Sequence, residues 1–203
     1  MQAVASFRYL GSTVCNNGGA SSEIRRRLGL SASIFANLCK IWNAQSLSMK
    51  LKIRLFYALT CSVLLYNCEC WAPLASDVKS LEGFYFRCMR RISRDFRKPG
   101  DGVDKASRDE VFRACNVPTI EQILTERRLR WIGHLIRTEK MDPAKDSLLK
   151  EMENDSRYSR LANSDLRSIG LSWRDAHRAA ADRERWRNAT SARPGTQYPR
   201  PRR

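Results

Sequence analysis

A catalytic centre has little to be built from in this chain. Its 203 residues include two histidines. There is no Gly-rich phosphate loop, no G-x-S-x-G, no H-E-x-x-H and no adjacent Asp pair. Nor is there a cluster of Asp and Glu on apolar strands, the arrangement that holds two Mg²⁺ ions. The chain alone is therefore expected to be no enzyme and to need no cofactor. The seven cysteines, Cys15, Cys39, Cys61, Cys68, Cys70, Cys88 and Cys115, are odd in number and form no C-x-x-C pair, so they suggest neither a disulfide framework nor a zinc knuckle. Cys68-Glu69-Cys70 lacks a second matched pair, and the thiols are read as small buried hydrophobes. No apolar stretch reaches membrane-spanning length; Cys61 to Tyr66 is far too short. The N-terminus lacks the charged and long apolar regions of a signal peptide, which predicts an intracellular protein, nuclear or cytoplasmic, with reduced thiols. There is no internal repeat of 20–50 residues.

Acidic residues are also scarce. Against 37 Lys+Arg there are 21 Asp+Glu, giving a net charge of +16 and a pI near 10.1. Such an excess favours a phosphate-rich partner, nucleic acid before an anionic membrane surface. The charge is concentrated in one stretch, Asp77 to Lys98. At about 100° per residue, Val78, Leu81, Tyr85, Cys88 and Ile92 fall in one core-facing stripe. Arg87, Arg90, Arg91, Arg94 and Arg97 fall on the opposite side. This is either a solvated helix face or a surface that meets polyanion.

Around this helix the chain predicts a mainly α fold: a short N-terminal strand or hairpin, a bundle of about five helices, and a partly disordered C-terminal tail. Residues 1–20 read as extended, with Phe7–Gly11 as a strand and Asn16–Gly19 as a turn. Any antiparallel mate is expected in Met1–Ala5 or outside the chain. Ser21 and Ser22 cap a helix with Ile24, Leu28, Phe35 and Trp42 inward and Ala32 and Cys39 between them. Arg25, Arg26 and Arg27 oppose its dipole unless an anion sits close. Ser48 caps a largely buried helix carrying Leu51, Leu55, Ala58, Leu59, Ser62, Val63 and Tyr66, with Lys50, Lys52 and Arg54 at its start. Ser76 caps the arginine-faced helix. Ser107 and Glu110 form a capping box for a short helix through Cys115. The helix from Ile120 to about Arg137 turns Ile120, Ile123, Leu124, Trp131 and Leu135 inward and leaves Arg127, Arg128, Arg130 and Arg137 on its remainder. His134 is a packed or half-exposed helix residue. The expected organisation is an extended segment over 1–20, a helical domain over 21–140, a polar linker over 141–163, a short helical motif over 164–188 and a disordered basic tail over 189–203.

Several segments together resemble a known family. F-R-Y-L-G-S at Phe7–Ser12, E-I-R-R-R-L at Glu23–Leu28, Ile41-Trp42, S-V-L-L-Y-N-C-E-C-W at Ser62–Trp71, F-R-C-M-R-R-I at Phe86–Ile92 and R-R-L-R-W-I-G-H-L-I-R at Arg127–Arg137 follow one another. Asp165–Ala176 and Asp182–Arg187 complete the series. In order and spacing they are similar to the region after the polymerase core in LINE-type (non-LTR) retrotransposon reverse transcriptases, especially the RTE-like group. The resemblance implies a thumb-like helical region over 21–140 that grips an RNA–DNA or DNA duplex without sequence preference. That role would fall on Arg25, Arg26, Arg27, Lys50, Lys52, Arg54, Arg87, Arg90, Arg91, Arg94, Arg97, Arg127, Arg128 and Arg130. The family's palm, with its Tyr/Phe-x-Asp-Asp strand, and its endonuclease are not in this sequence, so a catalytically incomplete C-terminal fragment is expected. Asn67 stands where relatives commonly have Gly, Cys70 where they commonly have Thr, and a linker between Lys150 and Asp165 looks deleted. A thumb without its palm would expose apolar surface and be marginally stable or self-associate. The alternative is a helical interaction module with solvated charges and no nucleic-acid role.

Overall fold

The computed structural model describes residues 6–15, 19–93, 107–138 and 142–191. The chain is mainly helical behind a short antiparallel hairpin. It divides into two compact units. Among the described residues, the first comprises those up to Asn67 and those from Pro73 to Ile120; the second comprises Cys68–Ala72 and those from Glu121 to residue 191.

In the first unit, β1 (Ser6–Tyr9) pairs with β2 (Ser12–Cys15) in the register Tyr9↔Ser12, Arg8↔Thr13, Phe7↔Val14, Ser6↔Cys15. The mate of the Phe7 strand thus follows it, rather than lying in Met1–Ala5 or outside the chain. A two-residue turn makes this possible: Leu10 (φ 46°) and Gly11 (φ 78°) both take positive φ, as a type I′ turn requires. Leucine resists that conformation, and three side chains hold the turn. Arg26 and Arg27 each donate from Nη2 to the Gly11 carbonyl at 2.5 Å, and the Tyr66 hydroxyl donates to the Leu10 carbonyl at 3.0 Å.

Helix α1 (Ser21–Asn37) begins after Ala20 with no side-chain cap; the Ser21 hydroxyl instead donates to Asp77 Oδ2 at 2.7 Å. Its buried face is Glu23, Ile24, Arg27 and Ser31, while Ala32 and Cys39 are exposed. A short α2 (Cys39–Asn43) places Trp42 in the core, stacked on Phe35 at 5.0 Å with its Nε1 donating to the Phe35 carbonyl. Ser48 caps α3 (Met49–Leu55), which runs through a π-helical turn (Phe56–Cys61) into α4 (Ser62–Leu64). Lys52, Ile53, Phe56, Thr60, Cys61, Leu64 and Leu65 are buried, and Leu51, Leu59 and Tyr66, expected inside, are exposed. Asn67 has φ 59°. That conformation suits Gly or Asn.

Helix α5 (Ala75–Ser93) packs on α1 and α6. Its start is held by Asp77, whose carboxylate accepts from the Leu74 N–H at 3.0 Å, rather than by Ser76. Leu81, Tyr85, Cys88 and Ile92 are buried, and Phe84 and Met89 widen the stripe. Helix α6 (Arg108–Cys115) opens with the expected capping box of Ser107 and Glu110, and Phe112 meets Tyr85 at 5.3 Å.

The second unit holds a short 3₁₀ turn (Cys68–Cys70), all of α7 (Ile120–Arg137) from Glu121, α8 (Pro143–Glu153), α9 (Arg157–Arg167), α10 (Trp173–Ala181) and α11 (Arg183–Ser191). Residues 143–153 and 157–167 are helices, not the linker expected over 141–163. Their polar composition hid sparse inward positions: Leu148 and Met152 on α8, Ala162 and Leu166 on α9. Asp142 and Ser156 cap the two helices. Nor does α7 close the first helical domain at residue 140. It is the central helix of the second unit, where Leu129, Ile132 and Leu135 pack with Ala176, Ala179, Ala180 and Trp186. Small residues carry much of this core because the helices approach closely. Gly133 is the extreme case: a Cβ there would sit 2.1 Å from Nε1 of Trp186. The tail from residue 192 lies outside the described residues.

Candidate nucleic-acid interface

The fourteen basic residues proposed for polyanion contact separate by environment. Arg94 and Arg97 lie outside the described residues. Of the rest, Arg25, Lys50, Arg54 and Arg87 are exposed, and Arg90 and Arg91 are half-buried on the outer side of α5. Arg91 donates from Nη2 to Asn43 Oδ1 at 3.4 Å.

Several others are engaged inside the protein. The anion that Arg25–Arg27 require is Glu23, on the same helix. Its carboxylate accepts from Arg26 Nε and Nη2 at 2.9 Å, from Arg27 Nε at 2.6 Å and from the Thr13 N–H at 2.9 Å. Burial alone would raise the pKa of Glu23, but these hydrogen bonds outweigh it and hold the group at about 2. Arg27 also lies 4.3 Å over the Tyr66 ring. The pair therefore braces the hairpin, and Arg27, 6% exposed, faces no solvent. Lys52 is likewise buried, its Nζ donating to the Trp42 carbonyl at 3.2 Å. In the second unit Arg128 is buried against Asp165, which also accepts from Thr125 Oγ1 at 2.9 Å. Arg130 pairs with Glu126, and Arg127 reaches Cys68 Sγ at 3.9 Å. Arg27, Lys52 and Arg128 are thus corrected from surface contacts to internal ones. Periodicity could not separate them, because a buried arginine and an exposed one occupy the same kind of sequence position when the counter-charge comes from elsewhere.

One basic group was missed. Arg108, the first residue of α6, lies 5.8 Å over the Phe86 ring, and Arg90 of α5 lies over the same ring at the same distance. Arg108 also donates to Glu82 at 3.0 Å. Two helices therefore bring the guanidinium groups of Arg90 and Arg108 together around one aromatic residue. The sequence signal was the capping box itself, which fixes Arg108 at the start of a helix that packs on α5.

Among the described residues no three His, Cys, Asp or Glu side chains gather where a metal ion could be held. Cys61, Cys68, Cys88 and Cys115 are buried as expected, but Cys39 and Cys70 are exposed and Cys15 is half-buried beside Ser22. Burial pushes the Cys68 thiol up to about 12, so it stays protonated and is a poor nucleophile. His134 is exposed beside Trp131, at 5.5 Å.

A family model described as a domain of unknown function (DUF6451) matches residues 34–66, which run from the end of α1 through α4. No curated protein matches the chain. No solved structure matches it.

Proposed function

We propose that this chain is a thumb-like module of a retrotransposon reverse transcriptase, without polymerase chemistry of its own, that grips nucleic acid through its phosphates. The observation that carries this reading is the outer side of α5, where Arg87, Arg90 and Arg91 stand opposite a buried seam and Arg108 joins Arg90 at Phe86. Arginine in such a group offers paired donors to phosphate and stacks on aromatic or base faces. The ordered motif series from Phe7 to Arg187 supports the same assignment, and with it an intracellular site of action. No membrane partner is proposed; among the described residues no helix is long and apolar enough to cross a membrane.

Fluorescence anisotropy with a labelled RNA–DNA duplex at several salt concentrations tests the proposal. Affinity should fall as salt rises, and the variant Arg87→Gln/Arg90→Gln/Arg91→Gln should reduce the salt slope by about 2 to 3, since each phosphate contact contributes roughly 0.9. Affinity independent of salt, or an unchanged slope in the variant, overturns it. A second reading, a helical interaction module, is favoured by a different observation. Leu51, Leu59 and Tyr66 are exposed along α3 and α4, and Phe7, Tyr9 and Leu10 on the hairpin. A chain that binds no duplex but runs as a dimer in light scattering would support that reading instead.

A further inference from the structure

The α9–α10 corner in the second unit carries an open surface depression of about 510 Å³, lined by Asn163, Arg167, Gly170, Leu171, Ser172 and Trp173. We propose that it binds a single nucleotide, with the base against Trp173 and the phosphate on Arg167. The volume lies in the range of small-molecule sites. How the corner is built explains why it stays open. Helix α9 ends in a turn in which the Leu171 N–H donates to the Leu166 carbonyl and the Gly170 N–H to the Arg167 carbonyl, with Gly170 at φ 74°. This is a Schellman closure, and it reverses the chain within three residues. Ser172 then caps α10, accepting from the Asp175 N–H. Asn163 and Arg167, one helical turn apart on α9, therefore face the same depression as Trp173.

The donor set fits one ligand class. Leu171 and Trp173 supply an apolar wall, and Trp173 is steadied by the second unit's core and by a T-shaped contact with His177 at 4.8 Å. An indole is a sequence-tolerant platform for a base. The Asn163 amide offers a donor and an acceptor, as a base edge requires. Arg167 has no carboxylate partner among the described residues, which leaves its guanidinium for phosphate. The nearby carboxylate of Asp175 is occupied by the Ser172 hydroxyl at 2.6 Å. An apolar ligand would leave Arg167 and Asn163 unused, and a free anion would leave the indole unused.

This proposal extends the nucleic-acid reading to a second contact, but its test involves no duplex and none of the α5 arginines, so the two can fail separately. The full chain is titrated with AMP, with UMP and with inorganic phosphate, and the tryptophan indole and Asn163 amide signals are followed by NMR. Both nucleotides should move the Trp173 and Asn163 signals saturably, and phosphate at equal concentration should bind at least tenfold more weakly. Arg167→Gln and Trp173→Leu should each weaken nucleotide binding about tenfold or more while the buried Trp186 signal stays in place. Asn163→Asp, a change at a partly exposed helix position that places a negative charge in the depression, should do the same should Trp173→Leu perturb the fold. No saturable shift, phosphate binding as tightly as nucleotide, or folded variants that bind like the wild type would overturn it.

Discussion

Replacing Gly133 by alanine should be one of the most damaging single-methyl changes available in this protein. The added Cβ would lie 2.1, 2.5 and 2.6 Å from three atoms of the Trp186 indole. Carbon contacts settle at about 3.5–4.0 Å, so the ring must retreat by more than about 1 Å. It has little room to do so, being 2% exposed within the core of the second unit. Retreat also breaks the hydrogen bond from Trp186 Nε1 to the Leu129 carbonyl at 3.1 Å, a loss of about 1 kcal/mol. Emptying a tryptophan site altogether costs about 3–5 kcal/mol, which sets the ceiling. Alanine favours the helix by about 1 kcal/mol, which offsets part of the loss. The net expectation is about 2–4 kcal/mol of destabilisation, read from urea unfolding of the full chain. A double-mutant cycle isolates the cause: with Trp186→Ala already present, Gly133→Ala should be neutral or stabilising by up to about 1 kcal/mol. An equal penalty in both backgrounds, or no penalty in the wild type, would refute the steric account.

Two further outcomes follow from the buried charges. Glu23 has its pKa lowered to about 2 from 4.5, so its contribution of about 3 kcal/mol is fully present above about pH 4.5 and is lost as pH falls towards 2. Urea midpoints of Glu23→Gln should therefore lack the part of the wild-type decline between pH 5 and 3 that Glu23 causes; parallel pH profiles would sink the assignment. Arg128→Met strands Asp165 in a buried site, with the Thr125 hydroxyl left donating to its carboxylate, and should cost about 3–5 kcal/mol, whereas Arg128→Met/Asp165→Leu should recover most of that. A double variant no more stable than the single one would show that the ion pair is not the reason.

Much of the fold was legible because hydrophobic period and cap chemistry agree along most of the chain. Leu81, Tyr85, Cys88 and Ile92 repeat at helical spacing and are buried; Ser48 and Ser107 cap the helices that their sequence context announced. Two kinds of information were not local. Leu51, Leu59 and Tyr66 recur at helical spacing yet lie outside, because the opposite face, with Ile53, Phe56, Thr60 and Leu64, is the one the fold buries, and spacing alone does not say which of two faces is covered. Helices α8 and α9 bury so few large residues that their pattern is visible only against partners far along the chain, such as Ala176 and Trp186. Gly133 and Trp186 show the same limit from the other side. Each sits in a separate motif of the series, and only their contact explains why one must be small and the other large.

The candidate site shows what a count of charges omits. The triplet Arg25–Arg26–Arg27 and the triplet Arg87–Arg90–Arg91 look equivalent in sequence, and both were assigned to polyanion contact. They differ in the acid within reach. Glu23 lies three and four residues before Arg26 and Arg27, the spacing that brings side chains together on a helix, and Glu23 and Arg27 are buried while Arg26 is half-buried. On α5, Glu82 lies eight and nine residues before Arg90 and Arg91, too far for such a pair, and it binds Arg108 of the neighbouring helix instead. The α5 triplet thus keeps its positive charge on the outer side while the α1 triplet is largely compensated within the fold. An arginine cluster is a candidate for phosphate only after every carboxylate one helical turn away has been assigned, and on that criterion α5 remains and α1 does not.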